Sequence, residues 1–500
     1  MSRTRLRDHA PRGRLRAERG ADFDSVTKET AVDRGLRIPG DPALPKRAAT
    51  TGASIPPRFW LRALGVSQAL RLFRCFAAIA IREAAGRLLD AFVGIGGKAM
   101  RRTRRRAAAA QRVARALGDL KGPFAKAGQF ASLRYDVLAP EVRTAFATLQ
   151  DRAAPRPLAE ITAVVEAELG APLAAHFAAF DAAPLGAASV AQVHRARLAS
   201  GEAVAVKEQF PWLAYSLRAD LMLARLLLRA LGGRNASPSR ARLFDEFASG
   251  LAEELDFERE ARVAAEIAAN LAGDPQVVVP AIHTELSTRR VLVMSYLPAI
   301  PIADRATLEQ RGVPVRDVLA TLARAYAKQV FVDGLFHADP HPGNLFVIDE
   351  PDASVRPRVL FIDFGLSKHL EPTLRREMRL GIHALLRRDV GGFVDGMERM
   401  GMIAPGARDR VRDAVAAMFE RMAGEGQMLG LGGAQVLALK DQAKQLLEKT
   451  PGLQLPNALL LYAKTMSYLF ALGEQLAPDV DIMRISVPYL LRFLAERDEV

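Results

Sequence analysis

The stretch His337-Ala338-Asp339-Pro340-His341-Pro342-Gly343-Asn344, followed by Phe361-Ile362-Asp363-Phe364-Gly365, decides how this chain is read. It supplies an Asp, an Asn five residues later and an Asp-Phe-Gly triplet nineteen residues beyond that. A phosphoryl-transfer centre needs these three groups. One carboxylate orients the nucleophile, while an amide oxygen and a second carboxylate grip Mg2+ on the nucleotide phosphates. On this reading Asp339 orients a substrate hydroxyl or a water, Asn344 and Asp363 are the metal ligands, and ATP and Mg2+ are the cofactors. His337 braces the loop by hydrogen bonding, and His341 braces its backbone. A zinc site built from His337, Asp339 and His341 has permissible spacing but leaves Asn344 and the Asp-Phe-Gly unexplained.

Upstream, Val193-His194-Arg195-Ala196-Arg197-Leu198 and Ala203-Val204-Ala205-Val206-Lys207 read as two strands joined by a hairpin turn over Ala199-Ser200-Gly201-Glu202. An ammonium at Lys207 can reach the α- and β-phosphates if a helix carboxylate holds it in place. Glu260, 53 residues on, is the expected partner. One helix from Arg240 to Ala272, ended by Gly273-Asp274-Pro275, puts Asp256 and Glu260 on the same face. Glu258 reads as plain surface charge. Val291 to Tyr296 reads as a buried strand, and Leu345–Ile348 with Val359–Ile362 as a second hairpin carrying the Asp-Phe-Gly. The segment from Ala214 to Leu231 reads as a helix, and Gly424 to Gly433 as a mobile loop.

These pieces predict an α+β, bilobal, protein-kinase-like fold with a helical N-terminal extension, which the family resemblance given below implies is packed over the active site. Residues 1–55 form a polar, disordered basic tail. Residues 56–155 form the extension, closed by Pro155 and Pro157. Residues 156–300 form a sheet-rich small lobe, and residues 301–500 a helical large lobe. The phosphate-binding loop falls at Pro184-Leu185-Gly186-Ala187-Ala188-Ser189-Val190-Ala191-Gln192-Val193-His194, which holds one glycine where an ordinary kinase has several. Cβ atoms limit how closely backbone can approach phosphate, so nucleotide binding should differ from the ordinary pattern.

The net charge of +14 is unevenly placed. Between Arg58 and Arg106 twelve Lys or Arg face only Glu83 and Asp90, a local balance of +10 that peaks at Arg101-Arg102-Thr103-Arg104-Arg105-Arg106. Such a block suits an anionic membrane surface, with a solvated helix face as the alternative. Nothing resembles a nucleic-acid-binding module, and no nucleic acid is expected as a partner. No uncharged apolar run is long enough to span a bilayer. The longest, Ala458 to Leu472, is interrupted by Lys464 and reads as a buried helix. The single cysteine, Cys75, reads as a small apolar residue and excludes an intrachain disulfide. The expected location is the cytoplasm, peripheral on the inner face of the membrane.

Several motifs together resemble the UbiB/AarF (ADCK-type) atypical kinase-like family. They are Lys126-Ala127-Gly128-Gln129 (K-x-G-Q), the alanine-rich loop, Glu254-Leu255-Asp256 (E-x-D) and the His-Ala-Asp-Pro-His-Pro-Gly-Asn loop. The resemblance runs from about Lys121 into the C-terminal region. It implies that Lys126 and Gln129 reach over the nucleotide site to meet Glu254 and Asp256. It also implies that Ala187, Ala188, Ser189 and Val190 line the phosphates, and that the extension covers the groove where a protein substrate would lie. It further implies ATPase or phosphotransferase activity supporting ubiquinone or other isoprenoid-lipid biosynthesis. An isoprenoid or quinone-like lipid and lipid-biosynthesis enzymes are then the candidate partners. The chain departs from the family pattern at Gly186, Val190, Ala191, Val263, Ser295 and Ala299, and lacks the C-terminal transmembrane hairpin of some members. A true protein kinase and a non-catalytic, nucleotide-gated scaffold are the alternatives.

Overall fold

The computed structural model describes residues 155–213, 238–350, 355–424 and 449–496, with isolated positions between 70 and 134, from 217 to 225 and from 445 to 447. The expected tail, most of the extension including Gln129 and Cys75, most of the helix from Ala214 to Leu231, and the glycine-rich loop after Gly424 lie outside the described residues.

The first helix, α1 (Leu158–Leu169), starts directly after Pro157, whose fixed φ suits a helix entry. It leads to β1 (Phe177–Ala187), β2 (Ala191–Leu198) and β3 (Ala203–Gln209). On β3 the alternation is clean. Val204 and Val206 are fully buried on one face, which leaves Lys207 on the face toward the cleft. Next come α2 (Pro238–Glu254), α3 (Phe257–Leu271), β4 (Val277–Val278) and β5 (Val291–Ser295). The small-lobe sheet runs β1-β2-β3-β5 and is antiparallel throughout, with Lys207 opposite Val193 and Leu292. Ile161 and Val165 of α1 and Phe257 of α3 close its core.

The predicted single helix from Arg240 to Ala272 is two helices, and this corrects the sequence reading. Asp256 takes an extended backbone (φ −105°, ψ 92°) and caps α3 by accepting from the Arg259 N–H. Gln209, at the end of β3, donates to the Leu255 carbonyl at 2.6 Å, and the Phe257 N–H donates to Arg289 O at 3.1 Å. These tertiary hydrogen bonds replace intrahelical ones, so the chain breaks where the apolar period shows no gap. Asp256 therefore serves as a helix cap and does not share a face with Glu260.

The large lobe continues through β6 (Ile300–Pro301), α4 (Arg305–Gln310), α5 (Val315–Lys328), β7 (Leu335–Phe336), β8 (Leu345–Ile348), β9 (Arg358–Phe361) and β10 (Lys368–His369). Helices α6 (Pro372–Arg387), α7 (Val390–Arg399), α8 (Arg408–Gly424), α9 (Asn457–Leu476) and α10 (Ile482–Ala495) follow. A second sheet, β4-β9-β8-β6, carries the expected β8–β9 hairpin. Helix α3 joins the lobes. Its first turn enters the small-lobe core through Phe257 and Ala261, and its later turns enter the large-lobe core through Val263, Ala264, Ile267 and Leu271. Burying a side chain the size of Phe257 or Ile267 contributes about 2–3 kcal/mol, so both ends of α3 are pinned. Among the described residues no helix is long and apolar enough to cross a membrane. Helix α9 instead buries Leu469, Phe470, Leu472 and Leu476 in the large-lobe core.

Candidate active site

Glu260 sits where α3 passes from one core to the other and is 1 % exposed. Lys207 Nζ donates to its Oε1 at 2.7 Å and to its Oε2 at 3.0 Å. The same ammonium donates to Asp363 Oδ1 at 3.0 Å and lies 5.0 Å from the centre of the Phe257 ring. Strand, helix and Asp-Phe-Gly thus converge on one cation. Burial alone would lower the Lys207 pKa, but Asp363 and Glu260 outweigh it and hold the group firmly charged. Burial pushes the Glu260 carboxyl up to about 7 despite Lys207, with Asp363 and Glu254 adding repulsion. Partial burial opposes ionisation of Asp363, yet Lys207 and Lys126 hold its carboxyl below the usual range.

The large-lobe side is built around His337. Helix α5 passes into a π-turn, Gln329–Asp333, which ends at Gly334 in the left-handed conformation (φ 68°). A side chain at Gly334 would be strained by that φ, and its Cβ would meet the Arg375 guanidinium at 3.1 Å. Gln329 Oε1 then accepts from the His337 N–H at 2.8 Å. The imidazole is buried and its pKa lowered, chiefly by burial. As a neutral ring it accepts from the Tyr326 hydroxyl at Nδ1 (2.9 Å) and donates from Nε2 to the carbonyls of Ile362 (3.1 Å) and Asp363 (3.0 Å). Those two carbonyls fix the backbone of the Asp-Phe-Gly, where Asp363 holds a positive φ of 62°. That conformation costs a non-glycine residue on the order of 1 kcal/mol or more, and His337 is part of what maintains it. His337 points its donor at backbone, so the zinc reading fails on geometry. Among the described residues no cluster of three metal-ligating side chains is found.

Asn344 precedes β8 and Asp363 follows β9, so the hairpin brings them to its open end, where the Ile362 N–H donates to Asn344 O at 3.0 Å. Asn344 Nδ2 donates to the Asp339 carbonyl (3.2 Å) and to Asp339 Oδ2 (3.3 Å). This orients the amide and leaves its oxygen outside those bonds. The other oxygen of Asp339, Oδ1, accepts from Lys464 Nζ of α9 at 2.8 Å. Lys464 was read from sequence only as an interruption in an apolar run. Its one signal was being a lone base on a helix that is otherwise buried.

Lys126 of the extension pairs with Glu254 at 2.7 Å, at the end of α2. Phe130 packs against Phe247, with ring centres 5.6 Å apart, and Arg134 pairs with Glu246. Lys126, Phe130 and Arg134 therefore lie against α2 at the mouth of the cleft. Lys126, Phe130, Leu251, Gly365, Leu461 and Lys464 are among the residues lining one cavity there. Arg259, another residue missed from sequence, donates to the carbonyls of Gly365 (3.2 Å) and Ser367 (2.8 Å) and so holds the segment after the Asp-Phe-Gly.

The alanine-rich loop is a tight β1–β2 connection in which Ala188 N–H donates to Ala191 O at 2.8 Å. Ala187 ends β1, Ala188 is exposed, and Val190 turns its side chain into the small-lobe core. Val190 can thus offer a ligand only its backbone. Ser189 is 1 % exposed, and among the described residues its hydroxyl has no hydrogen-bond partner. A buried, unsatisfied hydroxyl at this loop, a charged lysine, and an amide oxygen beside a carboxylate together fit a nucleotide carrying Mg2+, a cation that prefers oxygen ligands.

Residues 148–395 match the model of the ABC1 atypical kinase-like domain. A protein of Marinobacter nauticus named "Probable protein kinase UbiB" is 32% identical over 392 residues, 76% of this chain and 69% of that protein. "Protein ACTIVITY OF BC1 COMPLEX KINASE 8, chloroplastic" of Arabidopsis thaliana is 30% identical over 75% of this chain and 53% of its own length. Among solved structures, the Rv3197–erythromycin complex from Mycobacterium tuberculosis covers 76% of this chain and 95% of its own, with 23% identity and a TM-score of 0.48. With its kinase-like bilobal fold, the chain belongs to the UbiB/ABC1 family of atypical kinase-like proteins.

Proposed function

We propose that this protein binds Mg-ATP between its lobes and hydrolyses it, or transfers its terminal phosphoryl group, in support of ubiquinone or other isoprenoid-lipid biosynthesis. The observation that carries the reading is the meeting of Glu260 and Asp363 within 3.0 Å of the Lys207 ammonium. When bound, Mg2+ would neutralise charge on the phosphates, held by Asp363 and the side-chain oxygen of Asn344. Lys207, steadied by Glu260, orients the α- and β-phosphates. Asp339, fixed by Asn344, orients the attacking hydroxyl or water and accepts its proton. Backbone of Ala187, Ala188 and Val190, with the Ser189 hydroxyl, lines the phosphate side.

The Lys126–Glu254 pair and the Phe130–Phe247 contact favour a small acceptor or water over a protein substrate, because they occupy the mouth of the cleft. The basic block from Arg58 to Arg106 suits attachment to an anionic membrane surface. The test is ATP turnover by the purified protein with Mg2+, alone and with anionic liposomes and a quinone-precursor-like phenol. Turnover raised by the anionic vesicles and abolished by Asp339→Asn is expected. Turnover equal in the parent and Asp339→Asn would refute the enzymatic reading and leave the nucleotide-gated scaffold. Labelling of an added protein in preference to hydrolysis would favour a protein kinase.

A further inference from the structure

The loop from Asp339 to Asn344 reads Asp-Pro-His-Pro-Gly-Asn and carries no lysine or arginine. A γ-phosphate delivered beside Asp339 would therefore find no base from this loop to offset that carboxylate. Lys207 is engaged by Glu260 and Asp363, and Lys126 by Glu254. The base ion-paired with Asp339 comes from 125 residues downstream. It is Lys464, the one Lys or Arg in α9.

Its position is built rather than incidental. Leu461, one turn earlier, packs in the cluster that holds Phe336 and Ala338, so α9 lies directly against the catalytic loop. The Lys464 side chain is 11 % exposed, and an ammonium that buried needs a charged partner. Tyr468, one turn later, places its ring 5.6 Å from Nζ and 6.1 Å from the His341 ring, closing a short chain from α9 back to the loop. Lys464 also lines the cavity that contains Gly365 and Lys126, so its amine borders the space beside the Asp-Phe-Gly.

We propose that Lys464 is a γ-phosphate-binding residue, held by Asp339 when the cleft is empty and transferred to the terminal phosphoryl oxygens when nucleotide enters. The exchange frees Asp339 to take the nucleophile's proton. In the transfer step the nucleophile oxygen forms a bond to the γ-phosphorus, and the bond from that phosphorus to the β,γ-bridging oxygen breaks. ADP leaves with that electron pair, the nucleophile's proton goes to Asp339, and Lys464 neutralises charge on the transferring group. The inference rests on the Mg-ATP reading above and deepens it.

The experiment compares Mg-ADP with the Mg-bound β,γ-imido analogue of ATP, by calorimetric titration of the parent, Lys464→Met and Lys464→Arg. Losing a charge-assisted contact to the γ-phosphate should weaken the analogue about tenfold or more in Lys464→Met. ADP affinity should stay within about threefold, and Lys464→Arg should recover part of the difference. Analogue binding unchanged in Lys464→Met would overturn the proposal. A parallel loss of ADP and analogue would also overturn it, since that is the signature of a brace between α9 and the loop. A parent that binds neither nucleotide would instead refute the Mg-ATP reading itself.

Discussion

On the small-lobe side of the cleft, Lys207 stands between two carboxylates, Glu260 and Asp363, supplied by different lobes. On the large-lobe side, Lys464 stands against one carboxylate, Asp339, and both belong to the same lobe. The first cation ties the lobes together through two carboxylates. Among the described residues the second pairs with one carboxylate, which is what lets the proposed exchange occur. On the Mg-ATP reading proposed above, the first positions the nucleotide and the second supplies the charge that moves. Burial sharpens the contrast. Glu260 is 1 % exposed, and burial pushes its carboxyl up to about 7.

Breaking the first cation should have the largest effect. Lys207→Met removes the contact to the α- and β-phosphates, so ADP and ATP analogues should both weaken and turnover should fall about 10²–10³-fold. Selective loss of the triphosphate alone would reverse the roles given to the two lysines. Glu260→Gln leaves Lys207 in place but loosens its aim, and turnover about 10–100-fold lower is expected, as for other groups that act through a neighbour. Steady-state kinetics at saturating Mg-ATP would read both.

On the large-lobe side, Tyr326→Phe deletes the hydroxyl that donates to His337 Nδ1. The buried acceptor is left unsatisfied at a cost of about 1–3 kcal/mol, which calorimetric unfolding should register as a drop of a few degrees in Tm.

The smallest effect is pH dependence without nucleotide. Glu260 binds its proton more tightly in the folded chain, at about 7 against a usual 4.5. Its contribution to stability is therefore complete below the unfolded value and is lost as pH rises through about 7. The Tm of the nucleotide-free protein should fall by about 1–3 °C between pH 5.5 and pH 8, and Glu260→Gln should flatten that slope. A parent whose Tm rises over the same interval would contradict the burial assigned to this carboxyl.

Much of the small-lobe side was legible because its signals are local. The period-two pattern ending at Lys207 and the hairpin carrying Asp363 both follow from short spacings, and Glu260 follows from the need of a strand lysine for a helix carboxylate, although the helix face it was expected to share with Asp256 is absent. The break at Asp256 was not legible, since the apolar period continues through it. What ends α2 there is a hydrogen bond from Gln209, 46 residues away. Lys464 was hidden for a similar reason. A lysine on an apolar helix looks like an interruption until packing of Leu461 against the Ala338 cluster sets it beside Asp339. The orienting role of His337 followed from the usual fate of a histidine in that loop, but its Tyr326 partner, on α5, carries no sequence signal. Contacts supplied by distant elements are set by packing, and packing leaves little trace in the residues of one stretch.

The decisive trial of a shared cleft is thermal unfolding of the parent and Asp363→Asn with ADP, with and without Mg2+. The parent should gain several degrees only when both nucleotide and Mg2+ are present, and Asp363→Asn should gain nothing. Equal stabilisation of the two proteins, or the same gain without Mg2+, would show that Asp363 does not hold a metal on the nucleotide and would remove the basis for placing Lys207, Asn344 and Asp363 in one site.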